Sequence, residues 1–190
     1  AGIVGGVWVA ASCYAITGHG IYLATAGVMV AWGVMRHLTE VAFRRVRSQV
    51  KTLRRRDTSF WERLYIGAAW CYSAIFGAMG YLALVTEQDQ VVHAIVIVAG
   101  IGYSAGVAAR NASRLLLVVG QTVFNVVPLA AGVLMGGAEG SGHLAILIGL
   151  LFTSMLGISA KVGRNHVRSA QSVRQFERLA NTDTLTGLPN

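Results

Sequence analysis

The sequence predicts an all-α membrane protein, built as a bundle of six transmembrane helices with a cytoplasmic amphipathic helix and a polar C-terminal helix. Charged residues make up only 13 % of the chain and hydrophobic residues 54 %, whereas soluble domains carry about 25 % charged residues. A helix needs about 20 mostly apolar residues to cross a bilayer. Five long runs lack any charged residue, and they are residues 1–35, 64–86, 91–109, 115–138 and 141–160.

The first uncharged run, at 35 residues, is too long for one crossing. The stretch Thr17-Gly18-His19-Gly20 interrupts it, and glycine permits the backbone of a tight turn. We therefore predict two short spans here, which brings the total to six. The predicted spans are residues 1–17, 21–35, 64–86, 91–109, 115–135 and 143–160.

The basic residues indicate how the chain is threaded through the membrane. All 16 Lys and Arg fall within residues 36–63, 110–114 and 161–178, so alternate crossings place all of them on one side. Cytoplasmic loops are enriched in Lys and Arg, which predicts an inner-membrane protein with both termini in the cytoplasm. Because the Lys and Arg that give the chain its net charge of +8 all lie on this side, we expect anionic lipid rather than nucleic acid as its partner.

Two polar segments are predicted to be helical. In residues 36–63, Phe43, Val46, Val50 and Leu53 recur at helical spacing between arginines, which favours a basic amphipathic helix that docks on the membrane or packs on another helix. Residues 161–182 have a loose heptad pattern that Ser169 interrupts. They fit a short coiled coil or a single solvated helix.

Polar residues cluster at the predicted outer ends of the spans. They are His19, His93, His143, Glu87, Asp89 and Glu139. Imidazoles and carboxylates brought together bind metals, and paired imidazoles bind haem. Three interpretations stay open, namely ordinary interfacial residues, a metal or haem site, and a proton sensor.

Span five carries a second candidate site. Gln121 and Asn125 are four residues apart and share one helix face. They predict either interhelical hydrogen bonds within the bilayer or a ligand pocket. Their potential partners are Ser12, Thr25, Ser73, Tyr103, Ser104 and Ser154.

A pair of glycines in span four, Gly102 and Gly106, has the spacing that allows close helix approach. We expect this contact to form within the chain rather than between chains. No predicted span contains Asp, Glu, Lys or Arg, and ion- or proton-coupled transporters usually need such a residue. The membrane region alone leaves two functions open. They are a small six-span transporter or channel, and a membrane haem or metal-binding protein.

The last residues carry the most specific motif. Asp183, Leu185, Thr186, Gly187, Leu188 and Asn190 match the pattern Asp-x-Leu-Thr-Gly-Leu-x-Asn. This segment resembles the opening motif of GGDEF-type diguanylate cyclase domains. The resemblance implies that a GGDEF domain begins at residue 183, that residues 161–182 form a signalling helix, and that residues 1–160 are a sensor region.

The resemblance also implies an activity for the full-length protein. Two GGDEF domains, each holding GTP and magnesium, face one another in a homodimer and make cyclic di-GMP from two GTP. None of the family's catalytic residues lies within these 190 residues. We therefore expect a bacterial inner-membrane sensor that responds to an unknown small ligand from the membrane or the periplasm.

Overall fold

A computed structural model describes residues 2–49, 55–137 and 139–181, and these contain six α-helices and no strand. The connections that are fully described, after α1, α3 and α4, are two to four residues long. The helices are α1 (Gly2–Thr17), α2 (Gly20–Gln49), α3 (Arg55–Thr86), α4 (Gln90–Arg110), α5 (Leu115–Met135) and α6 (Ser141–Asn181).

Five of the helices are long and apolar enough to cross a membrane. Their apolar stretches are Gly20–Val46, Ser59–Thr86, Gln90–Arg110, Leu115–Met135 and Ser141–Asn165. The remaining helix, α1, has 16 residues, which cover about 24 Å at 1.5 Å per residue, less than the hydrocarbon thickness of about 30 Å. The all-α fold and the membrane character are therefore confirmed for the described residues, whereas a sixth crossing stays a prediction.

The turns fall where small and polar residues predicted them. Gly18, Gly137 and Gly140 have φ values of 70°, 70° and 81°, in the left-handed region that favours glycine. At the start of α4, Asp89 Oδ1 accepts hydrogen bonds from the backbone N–H groups of Val91 and Val92 at 2.7 and 3.4 Å. Such an N-cap satisfies donors that would otherwise lack a partner.

The helices predicted to be cytoplasmic continue two of the spans without a break. The amphipathic segment predicted after span two belongs to α2 as far as Gln49, and the predicted linker helix belongs to α6 as far as Asn181. Val50 and Leu53 lie outside the described residues. Val173, one of the apolar positions of the predicted coiled coil, has 56 % of its surface exposed in the single chain.

The two ends of the bundle differ in charge. At what we call the basic end, an Arg36 Nη2–H donates to the Tyr65 hydroxyl at 2.9 Å, and the Arg114 guanidinium lies 5.7 Å from the Tyr65 ring centroid. The opposite, acidic end consists of the α1–α2, α3–α4 and α5–α6 turns and carries Glu87, Asp89 and Glu139. The cost of placing charges in hydrocarbon explains why these residues lie at the ends of the bundle.

The centre of the bundle is the pair α3 and α5, which make the most extensive contact between helices. Glycines allow the close approach. A Cβ on Gly77 would overlap the carbonyl oxygen of Phe124, and one on Gly132 would lie 3.0 Å from Tyr81 Cα. Since lipid offers no hydrophobic drive for association, close van der Waals packing of this kind holds membrane helices together.

The predicted contact through Gly102 and Gly106 is wrong for the described part of the chain. A Cβ on Gly102 would meet no atom within 4 Å, and one on Gly106 would meet only Arg110 Nη2 at 3.9 Å. The spacing of two glycines does not show which helix face is turned inward, and here the buried face of α4 carries Gly100 and Ser104 instead.

The α3–α5 contact predicts a selective effect of a methyl group. Gly77→Ala forces the two backbones apart, which we expect to destabilise the protein by about 1–3 kcal/mol. Gly67→Ala on the same helix meets open space, so the higher helix propensity of alanine leaves stability unchanged or raises it. Unfolding in mixed detergent micelles measures the stability of both variants. Equal stability of Gly77→Ala and Gly67→Ala would contradict the packing described.

Candidate functional site

At the acidic end, the Glu87 carboxylate joins two turns that are distant in sequence. Glu87 is 8 % exposed. Its Oε1 atom accepts a hydrogen bond from the buried Tyr22 hydroxyl at 2.8 Å and lies 2.8 Å from His19 Nδ1. The contact with His19 is an ion pair when that imidazole is protonated. Glu87 thereby fastens the α1–α2 turn to the α3–α4 turn.

His93 completes this cluster through the backbone. Its Nε2 atom lies 3.0 Å from the Glu87 carbonyl oxygen, and because a carbonyl only accepts, Nε2 carries the proton and donates it. We call His19, Tyr22, Glu87 and His93 the outer clamp. Of the predicted outer residues, the structure brings His19, Glu87 and His93 together. Asp89 instead caps α4, and Glu139 and His143 are exposed.

The environment of Glu87 keeps the carboxylate charged. Burial by itself favours the neutral acid, but the hydrogen bonds from His19 and Tyr22 outweigh it and lower the pKa of the Glu87 carboxyl below its usual value. A buried carboxylate held in this way stabilises the fold for as long as it stays ionised.

In the outer clamp, polar groups that could bind a metal ion already contact protein atoms, and the metal or haem site stays a prediction. The His93 Nε2 proton is donated to a carbonyl, and Glu87 Oε1 already contacts two side chains. Among the residues described by the structure, no three His, Cys, Asp or Glu side chains are grouped so as to hold a metal ion. The contacts present are those of a polar brace between turns.

A second polar cluster lies inside the bundle. The Gln121 side-chain N–H donates to the Tyr103 hydroxyl at 3.1 Å, and that hydroxyl lies 2.8 Å from Ser73 Oγ. One turn further along α5, Asn125 Nδ2 donates to the Gly100 carbonyl and to Ser104 Oγ, each at 2.8 Å. The two amides on one face of α5 therefore tie it to α4 and, through Tyr103, to α3.

The six predicted partners of these amides divide into three groups. Ser73, Tyr103 and Ser104 take part in the interhelical hydrogen bonds. The hydroxyls of Ser12 and Thr25 instead donate to carbonyls four residues earlier in their own helices, as isolated hydroxyls in membrane helices commonly do. Ser154 is exposed on α6.

Sequence reasoning did not anticipate the role of Tyr22 or the meeting of Arg36 with Tyr65. Tyr22 lies one turn after His19, so its position near the outer end was available as a signal. The motif residues are outside the part of the chain that the structure describes, and they are Asp183, Leu185, Thr186, Gly187, Leu188 and Asn190.

Comparison with known proteins gives no assignment. No protein-family model, curated protein or solved structure matches this chain. The site must therefore be interpreted from its own residues.

The Asn125 hydrogen bonds predict a measurable loss on truncation. Asn125→Ala removes two interhelical bonds and leaves the Gly100 carbonyl without this donor, so we expect a loss of about 1–2 kcal/mol in unfolding free energy. The control is Thr153→Ala on α6, since the exposed Thr153 hydroxyl bonds only to its own helix. If both variants unfold like the native protein, Asn125 does not link the helices as described.

The outer clamp predicts a dependence of stability on pH. Because the Glu87 pKa is lower in the folded state, its contribution is complete above the unfolded value of about 4.3 and is lost as pH falls through the folded value. We expect Glu87→Gln to be less stable than the native protein at neutral pH, and the difference to shrink below about pH 4.

Glu139→Gln is the matched control, because Glu139 is an exposed carboxylate at the same end. Denaturant titrations at several pH values measure the free energy of unfolding of the native protein, Glu87→Gln and Glu139→Gln. A difference between Glu87→Gln and native protein that is the same at acidic and neutral pH would contradict the assigned role.

Proposed function

We propose that this chain is the membrane-embedded sensory and dimerisation module of a bacterial diguanylate cyclase. The observation that carries the proposal is the segment from Asp183 to Asn190, which resembles the start of a GGDEF domain and follows α6 directly. Magnesium and GTP would be bound by the catalytic domain that this motif introduces. In this view the membrane part controls how two such domains meet.

The length of α6 supports the proposal. Its 41 residues form one uninterrupted helix from Ser141 to Asn181, about 60 Å long at 1.5 Å per residue. The apolar stretch of this helix ends near Asn165, and the GGDEF-like motif begins two residues after the helix ends. A rigid helix of this kind transmits a rotation or a shift of the bundle to whatever follows it.

The charge of the basic end supports a cytoplasmic C-terminus. α6 leaves the bundle at this end, where Gly163 packs so closely on the α4–α5 turn that a Cβ would lie 2.7 Å from the Ala112 carbonyl oxygen. Arg36, Arg110 and Arg114 belong to the same end. Under the positive-inside rule, α6 would enter the cytoplasm, the compartment that contains GTP.

Six crossings, with both termini inside, are part of the proposal. The two-residue connection at Gly18 and His19 makes α1 antiparallel to α2, and these helices pack together. Although α1 is short, neighbouring helices and local thinning of the bilayer accommodate short helices. The N-terminus would then lie at the basic end.

Homodimerisation is proposed because the cyclase reaction joins two GTP molecules held by two domains. Apolar side chains along α6 lack a partner in the single chain, with Ile146, Leu150 and Ile158 each more than 60 % exposed and Val173 56 % exposed. Lipid can cover the first three, but Val173 lies beyond the apolar stretch. A second α6 would cover Val173 in a short coiled coil.

The proposed function can be tested by rotating the part of the protein that follows α6 about the axis of this helix. In the complete protein, inserting two alanines after Ser172 turns everything that follows by about 200°, whereas inserting seven turns it by about −20°. We expect the first insertion to change cyclic di-GMP synthesis in membranes several-fold and the second to keep it near the native rate. The absence of cyclic di-GMP synthesis from the native complete protein would contradict the proposed function.

A transporter or channel gives a different result in the same preparations. It predicts uptake or conductance that is insensitive to both insertions, because each insertion lies beyond the membrane-spanning stretch of α6.

A further inference from the structure

A crevice of about 300 Å³ lies at the basic end between the helices. It runs from the arginines at this end towards the polar cluster inside the bundle, and residues from all of the helices α1 to α5 form its wall. The lining residues that matter most are Arg36, Tyr65, Tyr72, Tyr103, Arg110 and Gln121.

Positive charge in this crevice lacks a matching carboxylate among the described residues. Arg36 donates to the Tyr65 hydroxyl and lies over its ring, and Arg110 Nε donates to the carbonyl of Gly106 in its own helix. Glu40 also lines the crevice, but its carboxylate pairs with Arg44 at 2.6 Å. Two guanidinium groups that line the same crevice favour a bound anion.

The deep wall of the crevice has an unsatisfied acceptor. Gln121 is 3 % exposed, and while its amide nitrogen donates to Tyr103, its amide oxygen is buried without a hydrogen-bond partner in the described structure. Leaving such a buried group unsatisfied destabilises the fold. This oxygen is closed to solvent in the described conformation, so a bound hydroxyl group reaches it, and removes this destabilisation, through a turn of the Gln121 side chain.

We propose that the crevice binds a glycerol phosphate group. The phosphate lies between the guanidinium groups of Arg36 and Arg110, which offer paired N–H donors, and a glycerol hydroxyl donates to the Gln121 amide oxygen. The tyrosine rings enclose the uncharged part. This inference does not depend on the proposed function, since it uses only the geometry of the bundle.

Two sources supply this chemistry, a phosphatidylglycerol head group and a soluble glycerol phosphate. An adjoining cleft of about 600 Å³ shares Arg36 and Tyr65 with the crevice and is lined by Phe43, Trp61 and Leu64. Phe43 lies two turns further along α2 than Arg36 does, away from Gln121. This cleft therefore gives either source a route into the crevice.

The test uses the purified chain in phosphatidylcholine nanodiscs and has two arms. In one arm, native mass spectrometry after partial delipidation counts the phosphatidylglycerol retained from nanodiscs that contain it. In the other arm, calorimetry measures the binding of glycerol 3-phosphate to nanodiscs without anionic lipid. Binding in the first arm alone identifies a lipid head group, and binding in the second identifies a soluble ligand.

Matched variants locate the site. We expect Arg36→Gln and Arg110→Gln each to weaken binding by about tenfold or more, the effect of losing a charge-assisted hydrogen bond. Arg168→Gln, a change at an exposed arginine of α6, should leave binding unchanged. If Arg36→Gln does not fold, as judged by circular dichroism, Arg110→Gln carries the test because the Arg110 side chain is exposed.

Gln121→Leu tests the hydroxyl contact. It should remove the preference for phosphatidylglycerol over phosphatidic acid, or for glycerol 3-phosphate over inorganic phosphate, while both members of the pair still bind. The proposal is overturned if neither probe binds, if Arg168→Gln weakens binding as much as Arg110→Gln does, or if Gln121→Leu keeps the native preference.

Discussion

The hydrocarbon of the bilayer offers no hydrogen bonds and solvates no charge, and this constraint determines where each polar side chain of the protein lies. Charged residues are confined to the two ends, and the amides inside the bundle are paired across helices, as Gln121 is with Tyr103 and Asn125 with Gly100. Hydroxyls such as that of Thr122 donate to their own helix. Small residues allow the helices to pack closely, and Gly77 does so where α3 meets α5.

Three polar layers follow one another along the same helices. The outer clamp around Glu87 joins α3 to the α1–α2 turn, the cluster of Gln121 and Tyr103 joins α3, α4 and α5, and the crevice at Arg36 opens below it. Gln121 and Tyr103 belong both to the inner cluster and to the crevice wall. The inner cluster and the crevice therefore share side chains, and α6 packs mainly on α5, the helix that carries Gln121. Under the proposed function, α6 would carry a change in this part of the bundle out of the membrane.

Much of this architecture was predictable, because it depends on local chemistry. The helix ends follow from Gly18, Asp89 and the α5–α6 glycines, and the apolar runs contain the helices found. Contacts between residues that are far apart in sequence were not predictable. Glu87 and Tyr22 are 65 positions apart, and neither apolar periodicity nor motif spacing pairs them. The inner face of α4 was misjudged for the same reason, since glycine spacing alone does not show which neighbour a face meets.

The orientation of the bundle is the claim on which the functional account depends, and cysteine accessibility tests it most directly. In a background with Cys13 and Cys71 replaced by alanine, Glu139→Cys marks the acidic end and Arg168→Cys marks the helix that leaves the basic end. A membrane-impermeant maleimide added to spheroplasts should label position 139 and spare position 168 until the membrane is permeabilised. Labelling of position 168 in intact spheroplasts would place α6 outside the cell, away from GTP, and would contradict the account.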